Sequence, residues 1–96
     1  MQFVVIAYDY KDRLKRRLEV REQHVTLGDK LRAKGNFLYG VAMLNDKKEM
    51  IGSVLIMEYS SRKELDEWLE GEPYMTNKVW EKIEIIPCKV GPTFSK

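Results

Sequence analysis

The chain has 96 residues, enough for one domain (residues 1–96) with a thin core. With 44% hydrophobic and 33% charged residues, its composition excludes disorder and low complexity. Seventeen basic residues against fifteen acidic ones leave a net charge of +2, too balanced to argue for nucleic acid. The lone Cys88 cannot close an intrachain disulfide, which fits a reducing compartment. The opening "MQFVVIAYDY" lacks the basic start and small-residue cleavage site of a signal peptide, and no segment is long enough to cross a bilayer. A cytoplasmic protein without membrane contact is expected.

Residues 3–8, "FVVIAY", form a continuous apolar run rich in β-branched residues, the pattern of a central strand. Asp12 is placed to cap a helix from near Arg13 to about Lys34, which Gly35 stops. Residues 36–44 and 50–59 read as two strands joined by the polar "NDKKE", a hairpin. In "SSRKELDEWLEG", Ser61 and Glu64 have capping-box spacing, Leu65, Trp68 and Leu69 make the buried stripe, and Gly71 ends the helix. Pro73 prevents continuation, and residues 74–78 can add a helical turn. A last strand spans about 79–90, with Pro87 requiring an edge or a bulge. The order β-α-β-β-α-β predicts an α+β, ferredoxin-like fold: a four-stranded antiparallel sheet with both helices on one face. The other face is left bare, with Val5, Leu55 and Met57 as candidates for it. A homodimer pairing there is expected. Met43, Met50 and Met57 belong to the core or that interface.

The first helix carries an unusual stripe. At about 100° per residue, Leu14, Leu18 and Val25 form one apolar cluster and Val20, Leu27 and Leu31 another. Arg17, Arg21, His24 and Gly28 fall between them, while Lys15, Glu19, Glu22, Gln23, Thr26 and Lys30 face solvent. Two readings are open. In one, arginine stems lie along the core with their heads in water, and His24 is half-buried on a backbone carbonyl. In the other, helix and sheet enclose a cleft in which the imidazole moves a proton near neutral pH, and an arginine meets an anionic or phenolate-like substrate. Gly28 would leave room for that ligand, since glycine within a helix is about 1 kcal/mol worse than alanine.

Other chemistries find no support. One histidine and one cysteine are too few for a closed zinc site. No phosphate-binding glycine loop is present. Ser53 has no nucleophile elbow around it. "KDRLKRR" is interleaved with acids nearby, and the strands lack the paired aromatics of an RNA-binding sheet. Neither a cofactor nor a metal is expected, and no nucleic-acid partner. Ser53 can bond a ligand or be small for close packing; Tyr74 can donate to a substrate oxygen or cover the core.

The chain resembles the YciI-like (YCII-related domain) family over essentially its whole length. The resemblance rests on "AYD" after the first strand, "KRRLEVREQH" ending at His24, Gly52-Ser53 in the third strand, and "EWLEGEPYMTNKVWEKIEIIPCKV". It implies a ferredoxin-like fold of the dimeric α/β-barrel group. It also implies a histidine–aspartate acid–base pair, relatives that include a dehydrochlorinase of a chlorinated hydroxyhydroquinone, and kinship in fold with muconolactone isomerases. Carried over, the histidine is His24, and Glu72 stands at the aspartate's place. The family's Gly-Pro after the second strand is Gly40-Val41 here. Asp9 is the rival carboxylate for holding the imidazole.

The expected function is lyase- or isomerase-type proton transfer on a small anionic or phenolic molecule. His24 and Glu72 are its catalytic pair, with Arg17, Arg21, Ser53 and Tyr74 binding the substrate. The alternative is a non-catalytic dimeric module holding a small metabolite or a partner protein in the same cleft.

Overall fold

The computed structural model describes residues 1–94. Its elements are β1 (Gln2–Asp9), α1 (Leu14–Ala33), β2 (Phe37–Leu44), β3 (Met50–Glu58), α2 (Arg62–Gly71), α3 (Pro73–Thr76) and β4 (Trp80–Cys88). The strands form one antiparallel sheet in the order β2-β3-β1-β4. The helices pack on one of its faces, the ferredoxin-like α+β arrangement. Among the described residues no helix is long and apolar enough to cross a membrane.

Local chemistry accounts for most of the boundaries. Gly35 takes the left-handed conformation (φ 84°) just past α1. The N–H groups of Gly35 and Asn36 donate to the carbonyls of Arg32 and Leu31, closing the helix with paired backbone bonds. Ser61 Oγ accepts from the Glu64 N–H at 3.2 Å and starts α2. Leu65 of that helix is fully buried, and Trp68 and Leu69 pack against the core. Asp12 is not a cap: its own φ is 55°, a turn conformation, and Arg13 precedes the helix without a side-chain bond to it. Pro87 lies in β4, at the sheet edge, where one side of the strand needs no partner.

The sheet corrects one expectation. Val5, Leu55 and Met57 do not lie on the bare face; they are buried beneath the helices with Phe3, Ala7, Val20 and Leu65. The outward residues are their neighbours Val4, Ile6, Val54 and Ile56, opposed in register as Val4↔Ile56 and Ile6↔Val54. Strand side chains alternate, so a shift of one residue reverses every assignment. A run that is apolar on both faces gives no parity of its own.

On α1, Val20, Leu27 and Leu31 turn inward, while Leu18 and Val25 stay exposed. Gly28 has a packing reason: a Cβ built there would stand 3.3 Å from the Phe37 ring. The glycine lets α1 lie close over the start of β2.

Candidate active site

Arg17 and His24 are two turns apart on the same side of α1, about 10.5 Å along its axis. The Tyr74 ring enters between them. It stacks on the imidazole with centroids 4.0 Å apart and planes 13° from parallel. The Arg17 guanidinium carbon lies 4.7 Å from the same ring's centroid. Trp80, the first residue of β4, closes the side: its ring stands edge-on to His24 at 5.9 Å and to Tyr74 at 5.5 Å. Tyr74 and Trp80 are almost wholly buried.

Glu72 sits at the junction of two helices. It follows α2 and caps α3, with extended backbone angles. Pro73 fixes the first residue of α3 and has no N–H to satisfy. Glu72 Oε1 accepts from the Tyr74 backbone N–H at 3.1 Å. The same oxygen lies 2.6 Å from His24 Nδ1. Only 2% of Glu72 is exposed, so these contacts replace its water. With the carboxylate accepting, Nδ1 carries the hydrogen, and Nε2 is the nitrogen whose lone pair is free to take a proton.

Arg17 belongs to a second network. Its Nη1 donates to both carboxylate oxygens of Asp9 at 3.0 Å. Its Nη2 donates to Ser53 Oγ at 2.8 Å. Both side chains of the ion pair are 4% exposed. Ser53 has Ala7 and Ala42 as cross-strand neighbours, so small side chains leave space over the sheet for the guanidinium. Burial pushes the Asp9 carboxyl above its ordinary range, and the charge and hydrogen bonds of Arg17 pull against that.

The structure therefore brings His24, Glu72, Tyr74, Arg17 and Ser53 to one end of the α1–sheet interface. Asp9 is there too, bound to Arg17 while Glu72 holds the imidazole. Arg21 is different: it is exposed at the rim. Burial holds the Tyr74 hydroxyl above its ordinary pKa, and the charges of Arg17 and Arg21 pull against that. Sequence reasoning missed Trp80 as a wall of the site and Asp9 as the partner of Arg17. The β1–β4 register sets Trp80 opposite Asp9. Only the strand pairing could have shown that proximity.

Chemically, the arrangement offers an oriented imidazole whose Nε2 has no hydrogen-bond partner among the described residues, a phenol kept protonated at neutral pH and a cation at the rim. That suits the gain or loss of a proton by a small polar molecule.

The chain is similar to known proteins in sequence and, for a solved structure, in fold. Over 95 residues the chain is 30% identical to Protein YciI of Escherichia coli O6:H1, covering 93% of this chain and 97% of the relative. It is 26% identical to an uncharacterized protein of Haemophilus influenzae over the same shares. Among solved structures, the 5-chloro-2-hydroxyhydroquinone dehydrochlorinase TftG of Burkholderia phenoliruptrix, in complex with 2,5-dihydroxybenzoquinone, superposes with a TM-score of 0.85. It shares 25% identity with this chain, over 99% of this chain and 100% of that one. The model of the YCII-related domain matches residues 1–89, and the chain belongs to that family.

Proposed function

We propose that this protein is a small cytoplasmic enzyme catalysing lyase- or isomerase-type proton transfer on a small anionic or phenolic substrate. The observation that carries the reading is the 2.6 Å contact between His24 Nδ1 and the buried Glu72 carboxylate. A carboxylate in that place fixes the tautomer and stabilises the imidazolium that forms when Nε2 takes a proton. Glutamate spans the distance although the family pattern has aspartate. The likeness to a dehydrochlorinase with a quinone bound supports an aromatic, oxygen-rich substrate. In that reading Tyr74 donates to a substrate oxygen, and Arg21 at the rim meets negative charge.

The enzyme acts as a homodimer through the outer sheet face. Val4, Ile6, Val54 and Ile56 are turned to that side, and Val41 and Ile86 are 49% and 47% exposed. A groove of about 1030 Å³ crosses the same face beside Tyr39, Cys88 and Phe94. Cys88 stays a free thiol in a reducing cytoplasm.

The test begins with 5-chloro-2-hydroxyhydroquinone and a panel of small phenols and lactones, following chloride release and ring absorbance. His24→Asn should lower turnover about 10²–10⁴-fold, the usual contribution of a positioned acid–base group. Turnover unchanged in that variant would exclude the mechanism. Binding without turnover anywhere in the panel would favour the alternative, a non-catalytic module that holds a metabolite in the same cleft.

A further inference from the structure

We propose that Asp9, Arg17 and Ser53 form a seat that positions the Tyr74 ring, and through it the His24 imidazole, making Arg17 a positioning residue and not the anion clamp its place in the stripe suggests.

Both terminal nitrogens of Arg17 are bonded within the chain. Nη1 is bound to both oxygens of Asp9 and Nη2 to Ser53. Its guanidinium carbon lies over the Tyr74 ring, 4.7 Å from the centroid. The residue is 3% exposed, and Nε is enclosed without a partner among the described residues. A substrate anion would have to displace Asp9 to reach Nη1, exchanging one buried carboxylate for another. The guanidinium is planar and pre-formed for its two partners, and it lies over the Tyr74 ring. Three elements contribute: β1 brings Asp9, β3 brings Ser53 and α1 brings Arg17. Their bonds fix the plane of the guanidinium, the guanidinium lies against one face of Tyr74, and the other face of Tyr74 lies against His24. Glu72 grips the far end of this column, holding the Tyr74 N–H and the imidazole Nδ1 with one oxygen. The imidazole is thus oriented from two sides, by a hydrogen bond in its plane and by a stack on its face.

This inference deepens the proposed acid–base role of His24, but its readout is the imidazole itself and needs no substrate. His24 is the sole histidine. Its ring C–H signals are therefore assignable at once by NMR, and the Tyr74 ring current shifts them upfield. The urea-unfolded chain sets the unstacked reference position. Removing one member of the Asp9–Arg17 pair leaves a buried charge and risks unfolding. The test therefore uses the paired replacement Asp9→Leu with Arg17→Met, and separately Ser53→Ala, which removes a single bond.

The paired variant, folded by its amide spectrum, should show the His24 signals displaced most of the way to the reference position. Ser53→Ala should show a smaller displacement in the same direction. A folded paired variant with His24 signals where the parent has them would overturn the proposal and leave Arg17 as a fastener between helix and sheet. If the paired variant does not fold, Ser53→Ala decides: unchanged signals overturn the seat. Loss of turnover with unmoved signals would likewise reject it while leaving the acid–base reading of His24 intact.

Discussion

At Glu72 one carboxylate oxygen serves both the α3 N-terminus and the imidazole of His24. Substitutions at His24 should therefore separate chemistry from stability. Asparagine retains an N–H donor near the position of Nδ1, so His24→Asn keeps Glu72 partnered and should cost less than about 1–2 kcal/mol. His24→Ala strands the carboxylate on one backbone bond and should cost about 1–3 kcal/mol. Urea unfolding of the two variants measures the gap, and equal losses would show that the 2.6 Å contact adds no stability. Tyr59 offers a second residue-scale test. Its hydroxyl is enclosed without a partner among the described residues, and its ring stacks on Trp68 at 6.4 Å. Burial, with the charges of Glu64 and Glu72, pushes its pKa from the ordinary 10.0 up to about 12. Below pH 10 the phenol is protonated in both the folded and the unfolded chain. Above it the unfolded chain ionises first, so this contribution to stability is lost as pH rises from about 10 to about 12. Tyr59→Phe should flatten that alkaline slope and, by removing an unpartnered buried hydroxyl, raise stability at pH 7 by about 1 kcal/mol.

The elements differ in how much they tolerate, and two glycines show it. Gly52 lies in β3 opposite Tyr8 and Met43. A Cβ there would stand 2.6 Å from the Ala7 carbonyl oxygen and 2.5 Å from Met43 Cε. The methionine end can move, but the backbone oxygen of a central strand cannot. Gly52→Ala should cost about 1–3 kcal/mol through overpacking, read as a lower denaturation midpoint. Gly71 ends α2, and a Cβ there would meet nothing within 4 Å. Gly71→Ala should stabilise by up to about 1 kcal/mol, because helical backbone entropy is the main term that changes. Both helix stops and the hairpin were legible in the sequence, since glycine, proline and capping serines act within a few residues of themselves. The start of α1 was not: Asp12 has the composition of a cap, yet it turns the chain in a left-handed conformation one residue too early.

For the molecule as a whole, the apolar outer face of the sheet is the surface left uncovered in one chain. The proposed homodimer predicts a two-chain species by sedimentation at micromolar concentration. Ile86→Lys, at a site 47% exposed in one chain, should yield a folded monomer with stability changed by only about 0.5 kcal/mol. A parent chain that sediments as a monomer would remove the dimer from the proposal. Local signals set the element order and hence the βαββαβ topology, because hydrophobic period, glycine and proline breakers and the Ser61 cap act over a few residues. They also placed Arg17, His24 and Gly28 on one stripe, because helical geometry is fixed by the backbone. Resemblance to a family, and not spacing, pointed to Glu72 as the partner of His24. Which face of each strand is buried follows from packing between distant elements, because a run such as "FVVIAY" is apolar on both sides and its parity is set by the partners it pairs with. The same holds for the site. Asp9 binds Arg17, and Trp80 walls His24, because strand register and helix placement bring distant residues together, and no local pattern in the chain encodes that distance.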